Sequence, residues 1–591
     1  MPSIREVEIR NFRGICHLKW WPNPGINCLI GPGDAGKSTV LDAIELTLSA
    51  RQSIGFTDAD FYLNRVSEPI VIDVTIGNLD DDLRNLELYG HFLRGRNVTT
   101  GAIENEPSSA LETVLTLRLV VRDDLEPEWS LFSPGPAAEG RQRNLQWKHR
   151  QKLAPVRLGT SASHHLALGP RSVLGKLSAD VTQASAALAD ASRQARRAFA
   201  ERGFEGIDAI LQTSRTIAND MGIPVEKVQA LLDVRGATLS GGAISLHDED
   251  QVPLKGLGTG SSRLLVAGLQ KSVGRSGIFI IDEVEFGLEP FRIVRLLDSL
   301  GAKRDDQSQQ VFLTTHSPVV LRELSSVQLF ALGSRRSTTA PKPGEGLELR
   351  PATKTTQHWI APLGCTEAAQ KTLRTCAEAF LAPSVIVCEG KTEIGLVRGI
   401  DLWRQDTNLR SVVAQGCHWA DGGGSSMFER AEIFAGMGYR TALLMDSDVP
   451  YPPEKYRALH ERGVSVFRWP EGLSTEAALF ASVPAEIIGQ LFDIACDWRS
   501  EDAVDAKIRH LSGGQWSLAL CRSNFADHMR GMLGQAAGDG KWFKDIDPAE
   551  RVLRYAVSPV WDQTGDILRT PVNALWHWIA AAPSALPIGS A

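Results

Sequence analysis

The chain alternates short apolar runs with glycine-rich or acidic turns, and this pattern predicts strands joined by helices. Residues 4–10 alternate apolar and charged positions, which is typical of a half-buried strand. Residues 26–30, 277–281 and 311–313 are almost continuously apolar, as expected of strands buried on both faces of a parallel sheet. Residues 40–46 follow the first of these runs with helical spacing. The pattern therefore favours an α/β fold.

Two segments interrupt this pattern. Residues 123–235 begin with a basic stretch rich in proline and glycine, and continue with an alanine-rich segment of helical spacing from Val173 to Ala200. We expect an inserted helical subdomain that forms a dimer contact or an arm over DNA, although a charged run is more often a solvated face. Residues 334–358 are rich in Ser, Thr, Pro, Lys and Gly, which predicts a linker or surface loop.

Composition narrows the class of protein. The 591 residues are 43% apolar and 23% charged, as in ordinary soluble proteins of more than one domain. The net charge of −7 does not indicate a surface that coats DNA, but it leaves room for a local basic groove. The eight cysteines form no C-x-x-C pair, and no long apolar run or signal sequence occurs. We expect a cytoplasmic protein without a membrane segment.

A glycine-rich turn lies between the run at 26–30 and the helix that follows. It reads G-x-x-x-x-G-K-S, the pattern of a loop whose backbone N–H groups surround the β- and γ-phosphates of a nucleotide. Lys37 would place a cation on these phosphates and Ser38 would bind Mg²⁺, so ATP and Mg²⁺ are the expected cofactors. An ordinary glycine turn is the alternative. The predicted nucleotide-binding residues are Gly31, Gly33, Asp34, Ala35, Gly36, Lys37, Ser38 and Thr39.

Two buried strands further along the chain end in residues suited to ATP hydrolysis. Asp282 follows the run at 277–281 and would hold the water shell of Mg²⁺, while Glu283 would act as a base or orient the attacking water. His316 ends the next buried strand and matches a switch histidine that senses the γ-phosphate. A histidine at a strand end is usually structural, but the order of Lys37, Asp282 and Glu283 strengthens the functional interpretation.

Three stretches compete for the signature that meets the γ-phosphate bound by a second subunit. Residues 239–242 read L-S-G-G, but a predicted strand follows them, and the L-S-G-G-Q at 511–515 lies far beyond Asp282. Residues 256–264 are glycine-rich, precede Asp282 by a short interval and open a helix predicted at 264–271. We therefore assign the signature to this last stretch. Its predicted contact residues are Gly258, Gly260 and Ser261.

The N-terminal strand and the phosphate loop flank Asn11-Phe12-Arg13, an order that resembles SMC, RecF and OLD ATPases. In those proteins the arginine reaches the nucleotide, so the resemblance makes Arg13 a candidate contact. Asp60 occupies the place of their Q-loop, where an acid would hold the Mg²⁺ shell or a water. A solvated arginine and a helix-capping aspartate are the alternatives. This order of elements makes a head-to-tail dimer the expected assembly.

Acidic residues follow two more buried strands in the C-terminal part. Glu389 ends the strand at 384–388 and Glu393 falls in the first turn of the next helix. Asp446 and Asp448 follow the strand at 441–445 on the same side. Carboxylates at neighbouring strand ends can hold Mg²⁺ or Mn²⁺ through oxygen ligands, and the pattern resembles a TOPRIM domain.

Two further residues complete this predicted site. Glu476 precedes an apolar helix and suits a second metal ion better than Glu471 does. A lysine could stabilise the charge that develops on a phosphodiester, and we assign this role to Lys541 rather than Lys544 because an apolar pair follows Lys541.

Taken with the T-E-A-A-L and G-K-W-F stretches, the chain resembles the OLD nuclease family over nearly its whole length, especially its class 2 members, which include the large nuclease subunit of Gabija anti-phage systems. The resemblance implies an α/β fold in which an SMC/ABC-like P-loop ATPase with a helical insertion precedes a C-terminal TOPRIM domain. The implied domains are the N-terminal ATPase part at 1–122, a dimerising insertion at 123–235, the C-terminal ATPase part at 236–360 and the TOPRIM domain at 361–591.

The resemblance also implies function. TOPRIM acids Glu389, Glu393, Asp446, Asp448 and Glu476 would bind metal, Lys541 would be catalytic, and the ATPase would regulate DNA cleavage in anti-phage defence. The implied partners are DNA, further copies in a homodimer or homotetramer, and a helicase-like or other defence subunit. The alternative is a SMC/RecF-like repair ATPase whose TOPRIM-like half binds DNA without cutting it. A topoisomerase or primase is disfavoured, since no suitably placed tyrosine or zinc-binding cysteines occur.

Overall fold

The structure is a computed structural model. It describes residues 1–50, 54–158, 257–273, 277–304, 308–339 and 353–581, with a few isolated positions between 190 and 254. The described strands form three sheets of seven, six and four strands. Most of the alanine-rich segment and the L-S-G-G stretch at 239–242 lie outside the described residues.

The first sheet is antiparallel and lies at the N-terminal end of the chain. Its order is β2-β1-β4-β7-β5-β6, with β8 also paired to β7. The strands are β1 (Ser3–Phe12), β2 (Ile15–Trp20), β4 (Ile70–Gly77), β5 (Leu93–Arg96), β6 (Ile103–Glu104), β7 (Glu112–Val121) and β8 (Pro127–Phe132). Strand β1 alternates as its sequence predicts, and Ile4, Val7 and Ile9 are buried in the core.

The second sheet carries the glycine-rich loop. Its order is β13-β12-β3-β11-β10-β9, and all its pairs are parallel except the β12–β13 hairpin. The strands are β3 (Ile26–Ile30), β9 (Val156–Leu158), β10 (Ile278–Ile281), β11 (Gln310–Thr314), β12 (Leu329–Thr339) and β13 (Thr353–Pro362). Every residue of β3, β10 and β11 is buried, which explains their continuous apolar runs.

The third sheet is fully parallel, with the order β15-β14-β16-β17. Its strands are β14 (Ser384–Cys388), β15 (Cys417–Asp421), β16 (Arg440–Met445) and β17 (Ser465–Arg468). The central strands β14 and β16 are buried along their whole length. Their carboxyl ends therefore lie side by side at one edge of this sheet.

Helices connect and cover the sheets. In the first two sheets they are α1 (Lys37–Leu48), α2 (Leu86–Tyr89), α3 (Pro134–Ala138), α4 (Trp147–Leu153), α5 (Thr259–Val273), α6 (Pro290–Ser299) and α7 (Pro318–Glu323). Around the third sheet they are α8 (Glu367–Thr375), α9 (Lys391–Asp406), α10 (Met427–Gly436), α11 (Pro453–Glu461), α12 (Thr475–Ser482), α13 (Ile488–Arg499), α14 (Glu501–Leu511), α15 (Leu518–Ser523), α16 (Arg530–Asp539), α17 (Ile546–Arg551) and α18 (Asp566–Ala580). None of the helices within the described ranges is long and apolar enough to cross a membrane.

Two predicted boundaries need correction. The part of the 123–235 insertion that the structure describes, up to residue 158, extends the ATPase sheets: β8 pairs with β7 and β9 pairs with β10. The ends of the predicted linker at 334–358 belong to the β12–β13 hairpin, with Ser334 opposite His358. The serine and threonine content of this segment predicts a loop, but β-branched threonine also favours strands. The pairing of β12 with β13 shows that the ends of the segment are strands.

The second and third sheets share one hydrophobic core. A single cluster of buried side chains includes Leu313 of β11, Leu373 of α8, and Val387 and Leu443 of the third sheet. A tryptophan on β13, Trp359, reinforces this junction, because its Nε1 donates a hydrogen bond to the carbonyl of Met437 at 3.4 Å. The ATPase part and the C-terminal part therefore pack against each other directly.

Candidate functional site

The glycine-rich loop turns sharply between β3 and α1. Gly31 and Gly36 have φ values of 148° and 99°, which an L-residue rarely adopts, and a Cβ on Gly31 would lie 2.3 Å from the carbonyl oxygen of Leu332. The Nζ of Lys37 donates to the carbonyls of Gly31 and Pro32, both at 2.9 Å. Burial lowers the pKa of Lys37, and the nearby Asp282 opposes this shift. All eight predicted loop residues fall within this turn and the first turn of α1.

The end of β10 brings a carboxylate to this loop. Ser38 Oγ donates to Asp282 Oδ1 at 3.1 Å, and Thr314 Oγ1 donates to the same oxygen at 2.6 Å. A hydroxyl and a carboxylate oxygen so placed fit the hard ligands of Mg²⁺ next to nucleotide phosphates. Arg157 on β9 also reaches this aspartate, at 3.4 Å. No local motif predicts this role for Arg157, because β9 reaches the site by pairing with β10, which is distant from it in the chain.

Glu283 and His316 follow the neighbouring strands β10 and β11. Glu283 has a left-handed φ of 46°, its N–H donates to Thr314 Oγ1 at 2.8 Å, and its side chain is exposed. His316, also exposed, follows β11. A residue that the sequence analysis missed fixes this turn: Glu285 accepts hydrogen bonds from Thr315 Oγ1 at 2.7 Å and from the N–H of His316 at 2.6 Å.

Arg13 and Asp60 contact each other. Arg13 Nε donates to Asp60 Oδ1 at 2.9 Å and its Nη1 donates to Asp42 Oδ2 at 2.5 Å. Burial opposes the charge, but these two hydrogen bonds raise the pKa of Arg13 above its usual value. Asp60 also accepts from the N–H and hydroxyl of Thr57, as a helix-capping residue would. The capping interpretation and a place beside the nucleotide loop are therefore compatible.

The predicted signature lies at the start of α5, which begins at Thr259 rather than at 264. Glycines 258 and 260 precede or enter its first turn, and a Cβ on Gly260 would lie 2.7 Å from the carbonyl oxygen of Gly287. Ser261 Oγ accepts a hydrogen bond from Arg292 at 3.0 Å. The small residues therefore serve close packing between the start of α5 and the segment after β10.

A buried arginine joins α5 to the backbone that follows β10. Arg263 is only 1% exposed. Its guanidinium donates to the carbonyls of Asp282 at 3.0 Å, Glu283 at 3.0 Å and Phe286 at 2.7 Å. Any displacement of α5 therefore acts on the backbone that carries Asp282 and Glu283.

A second group of acidic side chains lies at the carboxyl edge of the third sheet. Glu389 Oε2, after β14, accepts a hydrogen bond from the N–H of Asp446 at 3.0 Å. Burial, a hydrogen bond with Asp448 and the negative charge of Glu389 raise the pKa of Asp446 to about 9. Glu393 in α9 accepts from the N–H of Gly390 at 3.0 Å, and burial raises its pKa to about 7. Three of the predicted acids are therefore near enough to oppose one another's ionisation.

Glu476 is the most deeply buried member of this acidic cluster. Its side chain at the start of α12 has no exposed surface, and neither carboxylate oxygen has a hydrogen-bond partner. Burial raises its pKa. The neighbouring Thr475 donates to Glu393 Oε1 at 2.6 Å and accepts from Trp469 Nε1 at 2.8 Å. Helix α12 is thereby fixed against α9.

The lysine that faces the acidic cluster is Lys544. Its Nζ lies 3.8 Å from Glu476 Oε2. Burial opposes its charge, but the carboxylates of Glu476, Glu393 and Asp446 raise its pKa. Lys541, the residue preferred from the sequence, is exposed with a left-handed φ of 51° and forms no ion pair with these acids. The turn between the two lysines directs Trp542 and Phe543 into the core and leaves Lys544 on the side of the acids.

The acidic cluster has the right type of ligand atom for a divalent cation, but its side chains do not surround a single metal position. Its donors are all carboxylate oxygens, which are ligands that divalent cations such as Mg²⁺ and Mn²⁺ prefer, and the two oxygens of Glu476 are buried without a hydrogen bond. Within the described part of the chain, however, no three Asp, Glu, His or Cys side chains are placed to hold one metal ion as they stand. Rotation of the exposed Asp448 and the half-buried Glu389 would be needed.

Solved structures of SMC head domains are similar to this chain at a distance. The head domain of Pyrococcus furiosus Smc with an extended coiled coil, bound to the C-terminal domain of ScpA, is 12% identical over 64% of this chain and 100% of its own, with a TM-score of 0.34. The SMC head domain of Thermotoga maritima is 13% identical over 61% of this chain and 98% of its own, with a TM-score of 0.28. No curated protein is significantly similar in sequence to this chain.

A family model identifies the ATPase part. Residues 26–322 match the family described as "AAA domain, putative AbiEii toxin, Type IV TA system". The match begins at β3, and it includes the glycine-rich loop, Asp282, Glu283 and His316. It confirms the prediction of a P-loop ATPase with an α/β fold that binds ATP. Because the match spans just over half of the 591 residues, the chain belongs to this AAA-domain ATPase family.

Proposed function

We propose that the chain is an ATP-regulated, divalent-metal-dependent DNA endonuclease or nickase of the OLD type, with a TOPRIM domain formed around the third sheet. One observation carries the proposal. Acids that follow β14 and β16 or lie on α9 and α12 meet at one sheet edge, beside Lys544, where burial and the neighbouring carboxylates raise the pKa of Glu393, Asp446 and Glu476. A protein that used these acids only for stability would gain little from burying Glu476 with no closer ionic contact than Lys544 at 3.8 Å, since burying an incompletely satisfied carboxylate costs stability.

The acids divide into two groups by position. Glu389, Asp446 and Asp448 lie at the ends of the two central strands and would hold one Mg²⁺ or Mn²⁺ ion, while Glu393 and Glu476 lie on helices and would hold a second. Such ions, when bound, activate a water molecule and stabilise the leaving oxygen of a phosphodiester. The N–H of Glu389 donates to the carbonyl of Leu444 at 2.8 Å, and the N–H of Asp446 donates to the side-chain Oε2 of Glu389 at 3.0 Å, so the ends of the two strands hold these residues side by side.

Lys544 provides a positively charged side chain at this site, in addition to any bound metal ion. Its ammonium faces four carboxylates and is half-exposed, so it can contact both the acidic cluster and a backbone phosphate from solvent. A fixed cation there would stabilise the negative charge that develops on the phosphate during cleavage. Lys541, the residue assigned from the sequence, is exposed and forms no ion pair with these acids.

The ATPase part would regulate access to this chemistry. We infer an SMC/ABC-like head-to-tail dimer, or a homotetramer, in which Gly258, Gly260 and Ser261 meet the γ-phosphate bound by the Lys37 loop of another copy. Glu283 would then orient the attacking water and His316 would sense the γ-phosphate. Cytoplasmic anti-phage defence and a helicase-like partner subunit are implied only by the resemblance to Gabija nucleases.

A second candidate function has one observation in its favour. No three of the described acids converge on a single metal position, which is what a DNA-binding domain that does not cut would show. Under this alternative the chain is an SMC/RecF-like repair ATPase, and its C-terminal acids are structural.

The experiment that separates the two functions is plasmid cleavage by full-length protein with Mg²⁺ or Mn²⁺, with and without ATP. Asp446→Asn is the informative variant, because the amide keeps the size of the side chain and removes the carboxylate that would bind the metal ion. We expect nicking or linearisation by the wild type and none by Asp446→Asn. Lys541→Ala serves as the matched control and should cut normally.

The outcomes are unambiguous when ATP hydrolysis is measured on the same samples. Hydrolysis of ATP by both proteins, with an intact plasmid under every metal and nucleotide condition, would favour the ATPase that does not cut. Equal cleavage by the wild type and Asp446→Asn would place the nuclease elsewhere or in a contaminant.

A further inference from the structure

A cleft on the first sheet lies away from both sites. It has a volume of about 670 Å³ and opens between β8, the loop after α3 and the start of α4. Its walls combine cationic and aromatic side chains, namely Arg118, Arg122, Arg141, Arg150, Trp129 and Trp147. We call it the arginine–tryptophan cleft. Its size suits a single small ligand, since such pockets usually enclose several hundred Å³.

Two arginines of this cleft lie over aromatic rings. The guanidinium of Arg118 lies 3.3 Å from the ring centre of Phe132, and that of Arg150 lies 4.4 Å from Trp129. Trp147, at the start of α4, is 46% exposed and offers a free aromatic face. Planar rings and guanidinium groups that alternate in this way can stack a further aromatic ring between them.

Anion-binding capacity is also present. Arg150 Nη2 is buried without a hydrogen-bond partner. Arg122 pairs with Glu128 at 2.6 Å and Arg141 pairs with Glu139 at 2.9 Å, but both pairs are about half-exposed. Exposed ion pairs contribute little, so a phosphate that accepts two hydrogen bonds from a guanidinium can replace either carboxylate.

The charge around the rim limits what this ligand can be. Asp123 and Asp124 adjoin Arg122, and Glu126 is exposed two residues further on. A duplex or a long single strand would place several phosphates against these carboxylates. A ligand with one phosphate group and one aromatic ring avoids them.

We propose that the arginine–tryptophan cleft binds a nucleoside monophosphate, with the base stacked on Trp147 and the phosphate on Arg141 and Arg150. The cleft has a direct connection to the ATP site. Trp129 Nε1 donates to the carbonyl of Leu46 at 3.1 Å and Arg150 Nε donates to the carbonyl of Ser49 at 2.5 Å. Both carbonyls belong to the last turn and cap of α1, whose first residue is Lys37. The bound ligand therefore acts on the helix that carries the phosphate loop.

Calorimetric titration of the full-length protein with AMP tests the proposal. AMP is a suitable probe because it lacks the β- and γ-phosphates that the Lys37 loop holds. We expect saturable binding of one AMP per chain by the wild type, about tenfold weaker binding by Trp147→Ala and by Arg141→Ala, and unchanged binding by Trp498→Ala. Trp498 is a matched control, as it is 39% exposed on α13.

Four outcomes would overturn the proposal. They are the absence of saturable AMP binding by the wild type, equal binding by Trp147→Ala, loss of binding in Lys37→Ala instead, and equal affinity for inorganic phosphate, which has no ring to stack. Tight binding of an oligothymidylate without binding of AMP would identify a nucleic-acid surface and would also overturn the proposal.

The connection to α1 has its own test, since saturating AMP should change kcat/KM for ATP in the wild type but not in Trp147→Ala. An unchanged kcat/KM would refute that connection.

Discussion

The Nζ of Lys544 lies 3.8 Å from Oε2 of Glu476, a carboxylate with no exposed surface and no hydrogen-bond partner. This separation is too long for a strong hydrogen bond and short enough for an electrostatic contact. The pair therefore leaves the carboxylate incompletely satisfied, which is typical of a residue retained for chemistry rather than for stability. The two lysines near the end of the chain can be distinguished on this basis.

Replacement of Lys544 should abolish DNA cleavage while replacement of Lys541 should not. Loss of a fixed cation next to the reacting phosphate typically lowers the rate by about a hundredfold or more. We expect such a loss for Lys544→Ala and a change of less than about threefold for Lys541→Ala, measured as initial nicking rates on supercoiled plasmid. A larger defect in Lys541→Ala than in Lys544→Ala would restore the assignment made from the sequence.

Glu476→Leu should stabilise the protein and inactivate the nuclease. Removal of a buried carboxyl group that has no hydrogen bond, and only a 3.8 Å contact with Lys544, saves about 1–3 kcal/mol in the free energy of unfolding, and leucine fills most of its volume. Chemical denaturation without divalent metal should therefore show a higher midpoint for the variant. Addition of Mg²⁺ or Mn²⁺ should raise the midpoint of the wild type more than that of Glu476→Leu. If metal stabilises both proteins equally, Glu476 is not a ligand.

Glu283 and Glu285 stand two residues apart but should behave differently. Glu283 is exposed, so Glu283→Gln should lower kcat for ATP by about a hundredfold and leave stability unchanged. Glu285 accepts hydrogen bonds from Thr315 and from the N–H of His316, so Glu285→Gln should lower both kcat and the free energy of unfolding, the latter by about 1–2 kcal/mol. Steady-state ATP hydrolysis and thermal unfolding of the two variants separate these effects. A stable Glu285→Gln with full activity would show that the turn holds without this carboxylate.

Local patterns were sufficient to predict the ATP site. A buried apolar run precedes the phosphate loop, and another precedes Asp282 and Glu283. Residues adjacent in sequence therefore determine both the glycine-rich turn after β3 and the acidic end of β10. The contacts of Glu285 and Arg157 were not predicted, and Lys541 was preferred to Lys544, because the partners of these residues come from other strands and helices. The spacing of residues does not show which lysine of the turn at 541–544 faces the acidic cluster. The hairpin of β12 and β13 was missed for the same reason, since its composition suits a loop and only the pairing shows strands.

Trp359 should transmit the state of the ATPase to the C-terminal acids. A Cβ on Gly333 would lie 2.2 Å from its ring, and a Cβ on Gly438 would lie 2.4 Å from its Nε1, so the ring is held closely between the two parts. Gly438 leads into β16, which ends next to Asp446. We expect Trp359→Ala to reduce the effect of ATP on cleavage by about fivefold or more, with basal ATP hydrolysis within about twofold of the wild type.

The control for Trp359→Ala is Trp498→Ala, which alters an exposed tryptophan of the C-terminal part. It should leave the ratio of cleavage rates with and without ATP unchanged. An unchanged ratio in Trp359→Ala would show that coupling passes through other contacts, such as the 2.5 Å ion pair between Arg322 of α7 and Glu378.

A neighbour of Trp359, His358, should make stability depend on pH. Burial lowers the pKa of His358 to about 4, below the value of about 6.5 that it has when unfolded. Between these two pH values the unfolded chain takes up a proton that the folded chain does not, so stability falls as the pH drops from about 6.5 to about 4.

Allowing for partial exposure of the ring, we expect His358 to account for about 1 kcal/mol of the loss in the free energy of unfolding between about pH 7 and pH 5. Urea unfolding of His358→Gln should show a correspondingly smaller loss than the wild type, while His577→Gln, at an exposed position on α18, should follow the wild type. Parallel pH curves for the wild type and His358→Gln would mean that this histidine is protonated in the fold as readily as in the unfolded chain.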